Sequence, residues 1–345
     1  MARDREKFNA DELTECLSHY NLGKIEKVEE YCRGSRRSPK VRIITDKGKF
    51  LLKRRARGSD EMSKVAFTHE IQLHLAMRNF PLPHLIGTKP ENNSMLIRED
   101  NIYEMFEYVS GKGYSGSLDA TYNAGRILGL YHKLLTDFHS DYAPPTNSYH
   151  DNEAVAKAIA STVTSIPLDQ RPCSDTIAGE VKSLEDVYRT CAKQANELGL
   201  PNWPAQIAHG DWHPGNMLFL SDKVIAVIDY DAARCHQRVI DIANGALQFS
   251  ILGGNKNPDE WPDYVDETRF KRFLRGYDIA NVISTAEINA IPYLMCEAMI
   301  AEGVMPIAAT GSFGQLEGFP FLQMVNRKIH WILDHTKELC SILGT

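Results

Sequence analysis

The sequence has no pair of cysteines spaced C-x-x-C, and its seven cysteines are scattered and odd in number. That pattern argues against a disulfide framework or a structural zinc site and suits a reducing compartment. No stretch of about 18 apolar residues stands out, so no membrane association is expected. No N-terminal apolar run resembles a signal peptide, and a cytoplasmic location is the expectation. The chain also lacks an excess of positive charge: 39 Lys and Arg face 45 Asp and Glu, for a net charge of −6. General nucleic-acid binding needs a basic face, so no nucleic-acid partner is expected. Internal repeats and low-complexity tracts are missing as well. What remains is an ordinary globular composition, 43% apolar and 24% charged, over 345 residues. That length suits two lobes better than one core.

The chain does contain one concentrated stretch of polar chemistry. Residues 209–216 read His209-Gly210-Asp211-Trp212-His213-Pro214-Gly215-Asn216, and Ile228-Asp229-Tyr230-Asp231 follows one strand later. Pro214 and Gly215 exclude a helix interior, so the first segment is a shaped loop. Met217 to Leu220 and Val224 to Ile228 read as strands around the turn Ser221-Asp222-Lys223, a hairpin that returns Asp229 to the side of Asn216. Asp211 and Asn216 have the five-residue separation of the protein-kinase catalytic loop His-Arg-Asp-x-x-x-x-Asn. An aspartate there can orient an attacking hydroxyl and accept its proton. The oxygens of Asn216 and Asp229 suit a hard cation, Mg2+, on the phosphates of ATP. A polar turn ahead of a hairpin is the plain alternative.

Upstream, the pattern reads as a small antiparallel sheet. Lys24 to Tyr31, Val41 to Thr45 and Phe50 to Lys53 are strands, and Ser94 to Ile97 and Ile102 to Val109 two more. Lys53 stands where the phosphate-pairing strand lysine of kinases stands, with Arg54 and Arg55 leaving the register open by a residue or two. Glu70, on a helix from Val65 to Met77, can form the ion pair that orients Lys53, or can be a solvated glutamate. The run Glu104 to Gly111 is similar to a kinase hinge, where adenine would bond to the carbonyl of Glu107 and the amide of Val109. An edge strand explains the same run. In the loop Gly34-Ser35-Arg36-Arg37-Ser38-Pro39-Lys40, Gly34 and Arg36 are candidates for contact with ATP phosphates, with a solvated charge run as the alternative.

His-Gly-Asp-x-His-x-x-Asn followed by Ile-Asp-x-Asp resembles the signature of the aminoglycoside phosphotransferase and choline kinase superfamily. The resemblance implies an α+β, bilobal, protein-kinase-like fold, with a nucleotide-binding lobe over residues 1–109 and a mainly helical catalytic lobe over 110–345. ATP would lie between the lobes. It implies Asp211 as catalytic base, Asn216 and Asp229 as magnesium ligands and His209 as an architectural residue. Asp241, in Val239-Ile240-Asp241-Ile242-Ala243, would brace the loop, and Asp231 would act near metal or substrate. It further implies a kinase acting on a hydroxyl of a small soluble metabolite, most similar to homoserine kinase type II. An antibiotic phosphotransferase and a catalytically silent binding module are the alternatives.

Downstream, Leu118 to Leu135, Ala154 to Val163, Ile177 to Leu198, Ile242 to Phe249, Glu267 to Tyr277, Thr285 to Ala301 and Phe321 to Ile342 read as helices. Asp137 to Asn152 reads as a long loop, and Met305 to Pro320 as a loop flanking the acceptor pocket. Trp212, Phe249, Trp261, Tyr264 and Tyr293 are candidate pocket aromatics, although helix aromatics are more often core. His213 is a further candidate substrate contact. Asp259, Glu260, Asp263, Asp266 and Glu267 form an acidic cluster that would suit a polycationic acceptor or simply a solvated loop.

Overall fold

A computed structural model describes residues 5–341. The chain is α+β. In chain order its elements begin with α1 (Ala10–Ser18), β1 (Ile25–Glu30), β2 (Lys40–Thr45), β3 (Gly48–Arg54), α2 (Met62–Met77), β4 (Leu96–Arg98) and β5 (Asn101–Glu107). Then come α3 (Leu118–Leu134), α4 (Glu153–Ser165), α5 (Ser174–Glu197), β6 (Ala205–Ala208), β7 (Met217–Leu220), β8 (Lys223–Val227), β9 (Arg234–Gln237) and α6 (Arg238–Ser250). The remainder is α7 (Glu267–Ala280), α8 (Thr285–Thr310), the short hairpin β10 (Ser312–Phe313) and β11 (Leu316–Glu317), α9 (Gly318–Asp334) and α10 (Thr336–Cys340). These form two compact units. The first runs to Gly113 and takes back Asp137–Pro144 and Asn216–Ala233; the second holds Tyr114–Thr136, Pro145–Gly215 and the chain from Arg234 onward.

The first unit is built on a five-stranded antiparallel sheet of order β1-β2-β3-β5-β4. Alternation along the strands sends Val41, Ile43, Leu52 and Met105 into one buried cluster with Cys16 of α1, Tyr20 and Leu22. Each such fully buried aliphatic side chain contributes about 1.5–3 kcal/mol. Helix α1 is opened by a capping box between Asn9 and Glu12, worth about 1 kcal/mol. The same alternation turns Lys53 to the other face of β3. The β7–β8 hairpin, with Met217 opposite Val227, joins this unit through a bridge from Phe219 to Lys112 and a bond from the Val227 amide to the Pro81 carbonyl.

In the second unit α3 and α7 pack backbone to backbone. A Cβ on Gly125 would lie 2.0 Å from the Phe273 carbonyl oxygen, and one on Gly276 2.0 Å from that of Tyr122. Only glycine allows this approach, and it is reciprocal. Helix α8 corrects two expectations. It is long and apolar enough to cross a membrane by length and composition, but 78% of the qualifying window is buried within the protein, as in a core helix. It also runs on to Thr310 through Pro292 and Pro306, so the expected Met305–Pro320 loop shrinks to the β10–β11 hairpin and its flanks. Burial of most of α8 outweighs the hydrogen bonds its prolines remove.

Candidate active site

In the second unit, β6 pairs with β9 and delivers the chain into the 209–216 loop. The loop is held from behind by Asp241 in the first turn of α6. One Asp241 oxygen accepts from the His209 amide at 2.8 Å, and the other from the Gly210 amide at 3.0 Å. His132 Nε2 lies 3.1 Å from the same carboxylate, and His132 Nδ1 lies 2.8 Å from the Tyr277 hydroxyl. Complete burial pushes the Asp241 pKa up, but the hydrogen bond and charge of His132, with His236 and His209 nearby, outweigh it and hold the group at about 2. It therefore stays ionised and acts as a fixed acceptor for two loop amides.

His209 and Trp212 anchor the loop by their rings. Both are fully buried and meet edge to face at 5.3 Å, with Tyr131 against each. Gly245 of α6 makes room for the indole, since a Cβ there would lie 3.0 Å from it. Asp211, between the two anchors, keeps a side chain 45% exposed. The Gly215 amide donates to His213 Nδ1 at 3.0 Å. In a neutral imidazole this leaves the proton on Nε2, which lies 3.4 Å from the Asp211 carboxylate. His213 thus faces Asp211 with its donor side. Glu302 of α8 accepts from the Gln248 amide group. Water reaches Glu302, yet crowding by protein and then the Asp211 charge raise its pKa to about 7.

In the first unit, the β7–β8 hairpin returns the chain as its pairing requires, and the Ile228 amide donates to the Asn216 carbonyl at 3.0 Å. Asn216 is buried, while Asp229 is exposed and takes a left-handed backbone, φ 66° and ψ 72°. A non-glycine residue held there marks local strain of the kind found at functional sites. One amide oxygen and one carboxylate fit a magnesium ion that takes its other ligands from phosphates and water. Among the described residues no group of three or more His, Cys, Asp or Glu is arranged to hold a metal without such help.

Lys53 is the centre of a charged network on the same unit. It lies opposite Glu104 in the β3–β5 register, with its ammonium 3.4 Å from Glu104 and 3.5 Å from Asp231. Burial disfavours the ammonium, but Glu104, then Asp231 and Asp229, outweigh it and raise its pKa. Arg55 bridges the same two carboxylates at 2.8 and 2.7 Å, and His69 of α2 reaches Glu104 at 2.7 Å. Burial would raise the Glu104 pKa, yet Lys53, His69 and Arg55 bring it well below the usual carboxylate range.

Several expectations are corrected. Glu70 is not the partner of Lys53: its carboxylate accepts from the Ser140 hydroxyl, because the sheet neighbour Glu104 already occupies the place beside the ammonium. The Asp231 carboxylate is engaged by Arg55 and Lys53. Trp212 and Phe249 are core side chains, 0% and 1% exposed. Trp261 is half-buried, with its indole nitrogen 2.6 Å from Asn255 Oδ1 and its ring edge-on to Phe321. The acidic cluster is bound locally: Asp263 pairs with Arg327, Asp266 caps α7, Glu267 pairs with Lys271 and Glu260 accepts from Asn255. In the hinge-like run, the Glu107 amide donates to His84 and the Tyr108 amide to Lys49. The tip around Gly34 and Arg36 is tied to the N-terminal segment, with Arg5 donating to the Gly34 and Ser35 carbonyls and the Glu6 amide to that of Arg36. Glu104, Arg55 and Glu302 escaped the sequence reading. A strand-register argument on Lys53 would have found Glu104; nothing local marks Glu302.

The profile of the phosphotransferase enzyme family, APH, matches residues 31–280. The homoserine kinase of Methylocella silvestris is 26% identical over 332 residues, covering 94% of this chain and 96% of the relative. That of Bradyrhizobium diazoefficiens is 25% identical over 301 residues, covering 84% and 82%. Among solved structures, an amicoumacin kinase in complex with AMP-PNP and Ca2+ superposes with a TM-score of 0.67 at 13% identity, over 95% of this chain and 94% of that one. A microcompartment-associated aminopropanol kinase gives 0.68 at 12%, over 96% and 98%. Choline kinase from Cryptosporidium parvum gives 0.61 at 17%, over 95% of each.

Proposed function

The chain belongs to the phosphotransferase enzyme family and is a small-molecule kinase, and we propose that it transfers a phosphoryl group from ATP to a hydroxyl of a small amino-bearing metabolite such as homoserine. The observation that carries this reading is the loop held by Asp241, which keeps Asp211 accessible between two buried anchors. Asp211 orients the acceptor hydroxyl and takes its proton, a contribution of about 10²–10⁴ in rate for a positioned base. The Nε2–H of His213 steers that carboxylate. Lys53, kept charged by Glu104 and Asp231, steadies the ATP phosphates. Asn216 and Asp229 would hold Mg2+, which when bound neutralises phosphate charge. Gly34 lies on the loop that would approach the phosphates. The Glu107 carbonyl and Val109 amide would receive adenine; among the described residues the Val109 amide has no backbone acceptor of its own.

The acceptor class is supported by the two homoserine kinases, which match this chain over most of their length. Glu302 and Gln248, close to Asp211, offer a polar place for an acceptor ammonium, and His213 and Trp261 are further substrate candidates. An aminoglycoside-type acceptor is the weaker reading, because acidic residues that would receive polycations already pair with Arg327 and Lys271. A silent binding module is disfavoured by the complete set of Asp211, Asn216 and Asp229. The test is a screen of hydroxylated amino acids, amino alcohols, sugars and aminoglycosides read by ADP release. Turnover with homoserine or a related amino alcohol is expected; turnover confined to aminoglycosides, or none with any acceptor, would overturn the reading.

A further inference from the structure

A cavity of about 700 Å³ opens in the first unit at the end of β3, lined by Arg36, Arg37, Arg54, Arg55 and Arg57, with Glu6 the acidic member of its wall. The charges in it are unevenly matched. Arg54 is paired with Glu6 and Glu12 at 2.9 and 2.7 Å. Arg55 is bound to Glu104 and Asp231, but its Nε is buried with no hydrogen-bond partner. Arg36, Arg37 and Arg57 are exposed and pair with no carboxylate among the described residues. A buried guanidinium N–H without an acceptor is costly. Three further unpaired guanidiniums around one cavity repel one another until an anion enters.

The cavity is set apart from the Lys53 network by strand alternation. Arg54 points with Leu52 toward α1 and its Glu12, whereas Lys53 points the opposite way, to Glu104 and Asp231. Arg55 alone touches both. Guanidinium forks match the oxygens of phosphate in pairs, and the volume lies within the range of about 300–1,000 Å³ usual for metabolite sites.

We propose that this cavity binds a small multivalent oxyanion, a phosphate or phosphate ester, at a site separate from that of the phosphoryl donor. The bound anion gathers Arg36, Arg37 and Arg57 beside Arg55. Through Arg55 it communicates with the carboxylates that hold Lys53.

The experiment is calorimetric titration of the full chain with inorganic phosphate at constant ionic strength, with and without saturating AMP-PNP and Mg2+. Phosphate is expected to bind in both conditions, and Arg57→Ala to weaken it by about tenfold or more, the loss of one charge-assisted pair. Arg57 is exposed and unpaired, so Arg57→Ala is expected to fold and to keep its turnover in phosphate-free buffer; an unchanged melting temperature checks the first point. Arg57→Lys is expected to recover part of the affinity. Displacement of phosphate by AMP-PNP would overturn the proposal by making the cavity part of the nucleotide site. So would unchanged phosphate affinity in Arg57→Ala, no phosphate binding at all, or tighter binding of an RNA oligonucleotide that excludes phosphate.

Discussion

The two units fix their candidate site aspartates by different means. In the second unit the 209–216 loop is set by backbone: one buried, ionised Asp241 accepts two consecutive loop amides, and two buried rings, His209 and Trp212, anchor it on either side of Asp211. The Asp211 side chain stays 45% exposed beside His213. In the first unit position is set by side-chain charge: two cations and two carboxylates neutralise one another around Lys53, and Asp229 is held in a strained left-handed turn. A backbone brace fixes where a base sits without consuming its charge. A charge network fixes a cation at the cost of surrounding it with partners, and suits a group that must stay ionised whatever binds beside it.

That contrast can be broken from either side. Asp241→Asn should act most strongly. It keeps the size of the side chain but removes the charge and turns one acceptor into a donor facing a loop amide; turnover should fall about 100-fold, comparable to a misplaced catalytic group. The depressed pKa also makes the brace pH-dependent in a known direction. Asp241 contributes stability above its ordinary value near 3.8, about 2 kcal/mol, and loses it as pH falls through about 2. Acid unfolding of wild type and Asp241→Asn, followed by circular dichroism, should therefore converge at low pH.

Glu104→Gln comes next and strikes the other unit. Removing one partner of a buried ion cluster costs about 3–5 kcal/mol, visible as a lower urea midpoint. The Lys53 ammonium loses its first partner, so the KM for ATP should rise more than kcat falls. Glu70→Gln, although it lies on the helix expected to orient Lys53, should change neither by much. An effect smaller than that of Glu104→Gln is expected for Glu302→Gln. Its raised pKa means the folded protein holds the proton more tightly than the unfolded chain, so its stabilising contribution is present below about 4.5 and declines as pH rises through about 7. The pH profile of turnover should lose an inflection near 7 in the variant.

Much of this was legible beforehand where chemistry and backbone pattern coincide. The loop with Pro214 and Gly215, the hairpin returning Asp229, the strands around Lys53 and the helix bearing Asp241 all lie where the residues indicated. The short strands β6 and β9 were not legible, because four-residue segments carry no period. Glu104 was missed because its role depends on which strands neighbour each other: β5 sits beside β3, a long-range pairing that kinase analogy with Glu70 obscured. Trp212 was read as a pocket aromatic because its place in the motif is next to Asp211; its ring instead turns inward against His209 and Tyr131.

The most direct test compares wild type with Asp211→Asn, using the best acceptor from the screen. Single-turnover kinetics measure phosphoryl transfer, and calorimetry measures binding of AMP-PNP with Mg2+. The account predicts a loss of about 10³-fold in the transfer rate with nucleotide affinity changed by less than about threefold. A variant that transfers phosphate at a rate near that of the wild type would contradict it.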